Sequence, residues 1–120
     1  MNARRVHELM AERFPDYDAS ALEWTVVADG SAPRCEVLRD RLLEHFGDGE
    51  LVVEVHRRLG TVLRLFDAVA FIAAHIGKGA MKISNRDFTL FCVIAHNGVL
   101  ATWCGTPNPT FQRTAARLLN

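Results

Sequence analysis

The chain has 120 residues, 49% apolar and 23% charged, the balance of a globular protein and not of a disordered one. That length sets one domain over residues 1–120, with a core large enough to stand without metals or disulfides. The longest unbroken apolar run, residues 68–74, is far below the roughly 20 residues that span a bilayer, and a net charge of zero with a pI near 7.0 argues against a dedicated polyanion binder.

Asn2 is placed to cap a first helix over residues 3–14, where Val6, Leu9, Met10 and Phe14 fall on one stripe and Pro15 ends the run. Residues 15–20 read as a loop. Residues 22–27 are rich in strand formers and read as a strand; the competing reading is a short helix capped at Ser20 with Glu23 three residues on. Asp29-Gly30 marks a turn. A second helix covers residues 33–46, with Pro33 in its first turn, an apolar stripe of Cys35, Leu38, Leu42 and Phe46, and Gly47 as its stop. Residues 51–56 are β-branched and favour a strand. Residues 57–60 then form a turn with Gly60 at positive φ, and residues 61–66 return as the second strand; one long helix broken at Gly60 is the rival. Asp67 caps a helix through Ile76 that is apolar nearly all round, which predicts burial on most sides.

The clearest signal lies at residues 88–104. Residues 88–96 carry no formal charge, Asn97-Gly98 follows, and residues 99–104 complete the pattern of a hairpin with a two-residue type I′ turn. A shorter strand over residues 80–84 precedes it, joined by residues 85–87. Residues 106–109 read as a loop, and Thr110 as the cap of a last helix to Leu119. The order α-β-α-β-β-α-β-β-β-α, with strands mostly following strands, predicts an α+β fold: a largely antiparallel sheet with helices packed on one face.

A two-residue turn fixes the register. His96 then faces Val99, Ile94 faces Ala101, and Cys92 faces Trp103. On the other side Ala95 meets Leu100, Val93 meets Thr102, and Phe91 meets Cys104. Cys92 and Cys104 fall on opposite faces, which argues against a disulfide between them. Both faces of this ribbon are apolar, so both need cover. With helices on one face only, Phe88, Leu90, Cys92, Ile94, Val99, Ala101 and Trp103 form the candidate interface for a second copy or another protein.

Residues able to do chemistry do not converge in the sequence. Cys92 and His96, four residues apart on a strand, lie about 13 Å apart, too far for a nucleophile–base hydrogen bond. His7, His45, His56, His75 and His96 lack metal-ligand spacing. Gly77-Lys78-Gly79 lacks the upstream glycine and the following hydroxyl of a phosphate loop. Cys35 beside Arg34 has a setting that can lower a thiol pKa, but on an apolar stripe a buried, inert thiol is expected. No metal, cofactor or catalytic group is assigned.

Three cysteines without a CxxC pair fit a reduced, cytoplasmic chain. Arg4 and Arg5 have no apolar stretch behind them, so no secretory signal is read. Lysine occurs only at Lys78 and Lys82 among 14 basic residues, an association with GC-rich bacterial genomes. Charge is uneven: 6 basic and 11 acidic side chains in residues 1–50, against 8 and 3 in residues 51–120. The leading expectation is a small non-catalytic regulatory or interaction domain, self-associating through the 88–104 hairpin. The alternatives are a nucleic-acid accessory protein using Arg57, Arg58 and Arg64 as polyanion contacts, and a small ligand-binding or enzymatic pocket using Asp87 and His96.

Overall fold

Residues 1–105, which the computed structural model describes, form α1 (Ala3–Arg13), β1 (Thr25–Val26), β2 (Ala28–Asp29), β3 (Ala32–Pro33), α2 (Cys35–Phe46), β4 (Glu50–His56), β5 (Leu59–Arg64), α3 (Leu65–His75), β6 (Met81–Asn85), β7 (Leu90–Ile94) and β8 (Val99–Cys104). The loop and helix read at residues 106–119 lie outside the described residues. Six strands make one sheet in the order β1-β8-β7-β6-β4-β5, each pair antiparallel, and β2 and β3 form a separate hairpin.

Local chemistry sets most of the boundaries. The Asn2 side chain accepts from the Arg5 amide at 2.9 Å and caps α1. Between α1 and β1 the structure departs from both sequence readings: a short 3₁₀ turn over Ala19–Ala21 is capped by Asp18 and not by Ser20, and the strand read over residues 22–27 is reduced to Thr25–Val26. Pro33 is not in a helix but pairs with Ala28 in the β2–β3 ladder, so α2 starts at Cys35. At α3 the chain passes directly from strand to helix. The Leu65 amide donates to the Gly49 carbonyl at 3.0 Å, and Asp67 sits inside the first turn, where its charge suits the helix dipole, instead of capping it.

Gly60 also differs from its expected role. The β4–β5 turn is Arg57-Arg58, since His56 pairs with Leu59, and Gly60 pairs with Glu54 inside β5 without positive φ. A Cβ at Gly60 would come 2.7 Å from Val6 Cγ1 and 3.1 Å from the Val53 carbonyl oxygen. Glycine is needed here so that α1 can lie against the sheet. Gly60→Ala should therefore cost about 1–3 kcal/mol by overpacking. In a Val6→Ala background that cost should fall by roughly half, because the two sites are coupled. Urea unfolding of the four chains measures this, and equal costs in both backgrounds would refute it.

Alternation along the strands separates two apolar clusters. On one face, Leu38 and Leu42 of α2 and Leu65, Ala68 and Ile72 of α3 pack against Leu51, Val53, Ile83, Cys92, Ile94 and Leu100. On the other face, Val6, Leu9, Met10 and Phe14 pack against Val52, Phe88, Phe91 and Val93. The antiparallel α+β organisation read from sequence is present. α2 and α3 share one face, and α1 takes the second.

The β7–β8 register is shifted by one residue from expectation. Ile94 pairs with Leu100, Val93 with Ala101, Cys92 with Thr102, and Phe91 with Trp103. The Gly98 amide donates to the Ala95 carbonyl at 3.0 Å, the Ala95 amide donates to the Val99 carbonyl at 2.9 Å, and only Gly98 of the loop has positive φ. This is a three-residue loop with glycine in the left-handed position, not a type I′ turn. One residue of slip exchanges the faces of β8. Leu100, Thr102 and Cys104 now share a face with Cys92 and Ile94, while Ala101 and Trp103 lie with Phe91 and Val93. Cys92 and Cys104 are thus on the same face, two positions apart, and both are free thiols.

Phe88 does not begin a strand. It lies in the β6–β7 loop at φ 56 with its side chain buried. The Asn85 carboxamide closes that loop, accepting from the Thr89 and Leu90 amides and donating to Thr89 Oγ1. Burial of the ring, worth about 1.5–3 kcal/mol, offsets a left-handed backbone that costs about 1–2.

Candidate interaction surface

The residues proposed as an interface do not form one surface. Phe88, Cys92, Ile94 and Ala101 are buried within the chain, and Leu90, Val99 and Trp103 are partly buried. Cys92 and Ile94 lie under α2 and α3. Trp103 packs on the α1 side, with ring centroids 5.8 Å from Phe14, 5.8 Å from Phe91 and 5.2 Å from Tyr17. Among the described residues, α1 on one side and α2 and α3 on the other cover the ribbon, which removes the buried four from any contact surface.

The other candidates are equally dispersed. Arg57 and Arg58 form the β4–β5 turn, whereas Arg64 pairs with Glu50 at the far end of β5, about 20 Å along the strand from Arg58. They do not make one polyanion contact. Asp87 lies in the β6–β7 loop and His96 in the β7–β8 loop, at opposite ends of β7, so they share no pocket. His96 lies on the rim of an open hollow of about 430 Å³ with Tyr17, Trp24, Val93 and Val99. Burial pushes the Cys92 thiol well above its ordinary pKa, so it stays protonated. Cys35 is exposed, contrary to its expected place on a buried stripe. Among the described residues, no group of three or more His, Cys, Asp or Glu side chains is placed to hold a metal ion, and no helix is long and apolar enough to cross a membrane.

One polar cluster was not singled out in the sequence. Arg41, Glu44, His45 and Thr102 line a cavity of about 160 Å³ between α2 and the β8 edge. His45 Nε2 lies 3.1 Å from the Trp103 carbonyl, which can only accept, so that nitrogen carries the proton. Desolvation by burial lowers the His45 pKa and favours the neutral ring. Arg41 donates to Thr25 Oγ1 at 3.1 Å and pairs with Glu44 at 3.7 Å. These groups satisfy one another and tie α2 to β1 and β8.

The largest departure from expectation is α3. Leu65, Ala68, Val69 and Ile72 are buried, and among the described residues the helix packs chiefly on the sheet and along α2. Its outer side shows Phe66, 57% exposed, with Ala70 and Ala74 also exposed. Between α3 and α2 runs a hollow of about 320 Å³ lined by Cys35, Glu36, Arg39, Val69, Ala70 and Ala73, with Phe66 at its border. The sequence held the relevant signal, a helix apolar all round, but read it as burial inside the fold. No family model matches this chain, and neither a curated protein nor a solved structure matches it.

Proposed function

We propose that the chain is a non-catalytic protein-interaction domain whose contact surface is the outer face of α3 and the adjoining side of α2. The observation that carries this is the exposure of Phe66 on a helix whose exposed positions are otherwise Ala70, Ala74 and a single charge, Asp67. A large aromatic ring at the border of a shallow apolar hollow is the usual anchor of a protein contact. Its burial by a partner contributes about 1.5–3 kcal/mol. The burial of Phe88, Cys92, Ile94 and Ala101 in the core supports a contact surface on α3 and not on the hairpin.

Phe66→Asp tests the reading. Because the side chain is exposed, the variant should fold with stability within about 0.5 kcal/mol of the parent. Affinity capture from native extract, with the parent and the variant as baits of matched circular dichroism, should retain a protein on the parent (a second copy included) that the variant loses. Identical capture by the two baits would overturn it.

A further inference from the structure

We propose that the occupant of this face is a second copy of the same chain, seated across a two-fold axis that passes close to Ala70 and perpendicular to α3. The proposal rests on the reading of the α3 face as the contact surface and names its partner.

A two-fold contact requires one patch to carry both a projection and the hollow that receives it, at matching distances from the axis. Phe66 is the projection. It lies four residues before Ala70, while Ala73 and Ala74 lie three and four residues after it. At 1.5 Å of rise per residue these positions are about 5–6 Å to either side of Ala70. Rotation by two-fold symmetry sets the Phe66 ring of each copy against Ala73 and Ala74 of the other. There Ala70 and Ala73 form the floor side of the hollow of about 320 Å³, with Val69 and Cys35 beside them and Glu36 and Arg39 along the α2 side, and the space has room for a ring. A larger residue at 70 or 73 would fill that space.

The rim charges obey the same symmetry. α2 runs antiparallel to α3: Leu65 is bonded to Gly49 beyond the end of α2, and a Cβ on Gly77 would lie 3.4 Å from Ser31 ahead of its start. Arg39 therefore sits nearer the Phe66 end of the hollow and Glu36 nearer the Ala73 end. The rotation that seats Phe66 also brings Arg39 of one copy toward Glu36 of the other, twice over. Both side chains are exposed; Arg39 contacts its neighbour Asp40 at 3.1 Å. Glu36 and Arg39 are thus complementary to their own copies under the two-fold, and Asp67, exposed three residues before Ala70, is the charge of α3 that this pairing does not use. The zero net charge of the chain adds no repulsion between copies.

Sedimentation equilibrium from low to high micromolar concentration tests this on five chains: the parent, Phe66→Asp, Arg39→Glu, Glu36→Arg, and the last two combined. The parent should dimerise, and Phe66→Asp should weaken dimerisation at least about 30-fold. Each single charge reversal should weaken it and the combined reversal should restore it to within about 3-fold of the parent. A parent that stays monomeric at high micromolar concentration overturns the proposal, as does a dimer indifferent to Phe66→Asp or a combined reversal no better than the singles. A monomeric parent that nonetheless captures another protein through Phe66 leaves the contact surface standing and removes only the second copy. A monomer that captures nothing removes both.

Discussion

Truncating Phe91 to alanine should cost the fold about 3–5 kcal/mol, against a total stability of about 5–15 kcal/mol for a domain of this size. Phe91 is 0% exposed, and its ring meets Phe14 edge-on at 5.4 Å and Trp103 at 5.8 Å. It is the point where α1, β7 and β8 touch. A helix of 11 residues is marginal alone in water, so α1 depends on the seat that Phe91, Val52 and Val93 give to Phe14 and Met10. Removing the ring should loosen α1 before it disturbs α2 and α3, which pack on the other face. Far-UV circular dichroism during urea unfolding gives the size of the loss. Amide exchange along residues 3–13 should rise more than along residues 35–46. Phe91→Leu, which keeps much of the apolar volume, should cost roughly half as much. A loss below about 1 kcal/mol for Phe91→Ala would mean that the ring does not hold α1 to the sheet.

The elements with a single strong local cause were legible in the sequence. The stripe of Val6, Leu9, Met10 and Phe14, with Asn2 ahead and Pro15 behind, gave α1 with its cap and its buried face. The β-branched run at residues 51–56 gave β4, and the order of strands gave an antiparallel sheet. Positions where two local solutions are nearly equal were not legible. Asn97-Gly98 suits a two-residue turn and also the last two positions of a three-residue loop, and the choice decides which side chains of β8 meet α1. Nor does an apolar periodicity say what covers a helix. The pattern in α3 is compatible with burial in the core or with an uncovered outer face, and Phe66 falls on the uncovered side. The doubly apolar ribbon signals in the sequence that both faces need cover, but nothing local in the stripe of α1 says that it supplies the second.

Gly98 is where that register is decided, and Gly98→Ala should cost about 2–4 kcal/mol from two separable causes. The first is backbone conformation: φ is +82°, a region that alanine enters at a cost of about 1–2 kcal/mol. The second is space. A Cβ at Gly98 would lie 2.9 Å from Ala28 Cβ and 3.0 Å from the Ala28 carbonyl oxygen, in a place where the Val27 amide already donates to the Gly98 carbonyl at 2.8 Å. The loop is thus clamped between its own turn and the chain entering β2. Ala28→Gly removes the Cβ contact but leaves the carbonyl and the φ, so it should rescue roughly half of the loss and no more. Gly98→Asn should show the opposite balance, since asparagine tolerates positive φ but still carries a Cβ. Urea midpoints of these chains resolve the two causes. Cross-strand nuclear Overhauser contacts between Cys92 and Thr102 report whether the register survives. Complete rescue by Ala28→Gly would show that the left-handed backbone costs nothing here. A cost below about 0.5 kcal/mol for Gly98→Ala would show that the three-residue loop, and with it the assignment of Trp103 to the α1 face, is wrong.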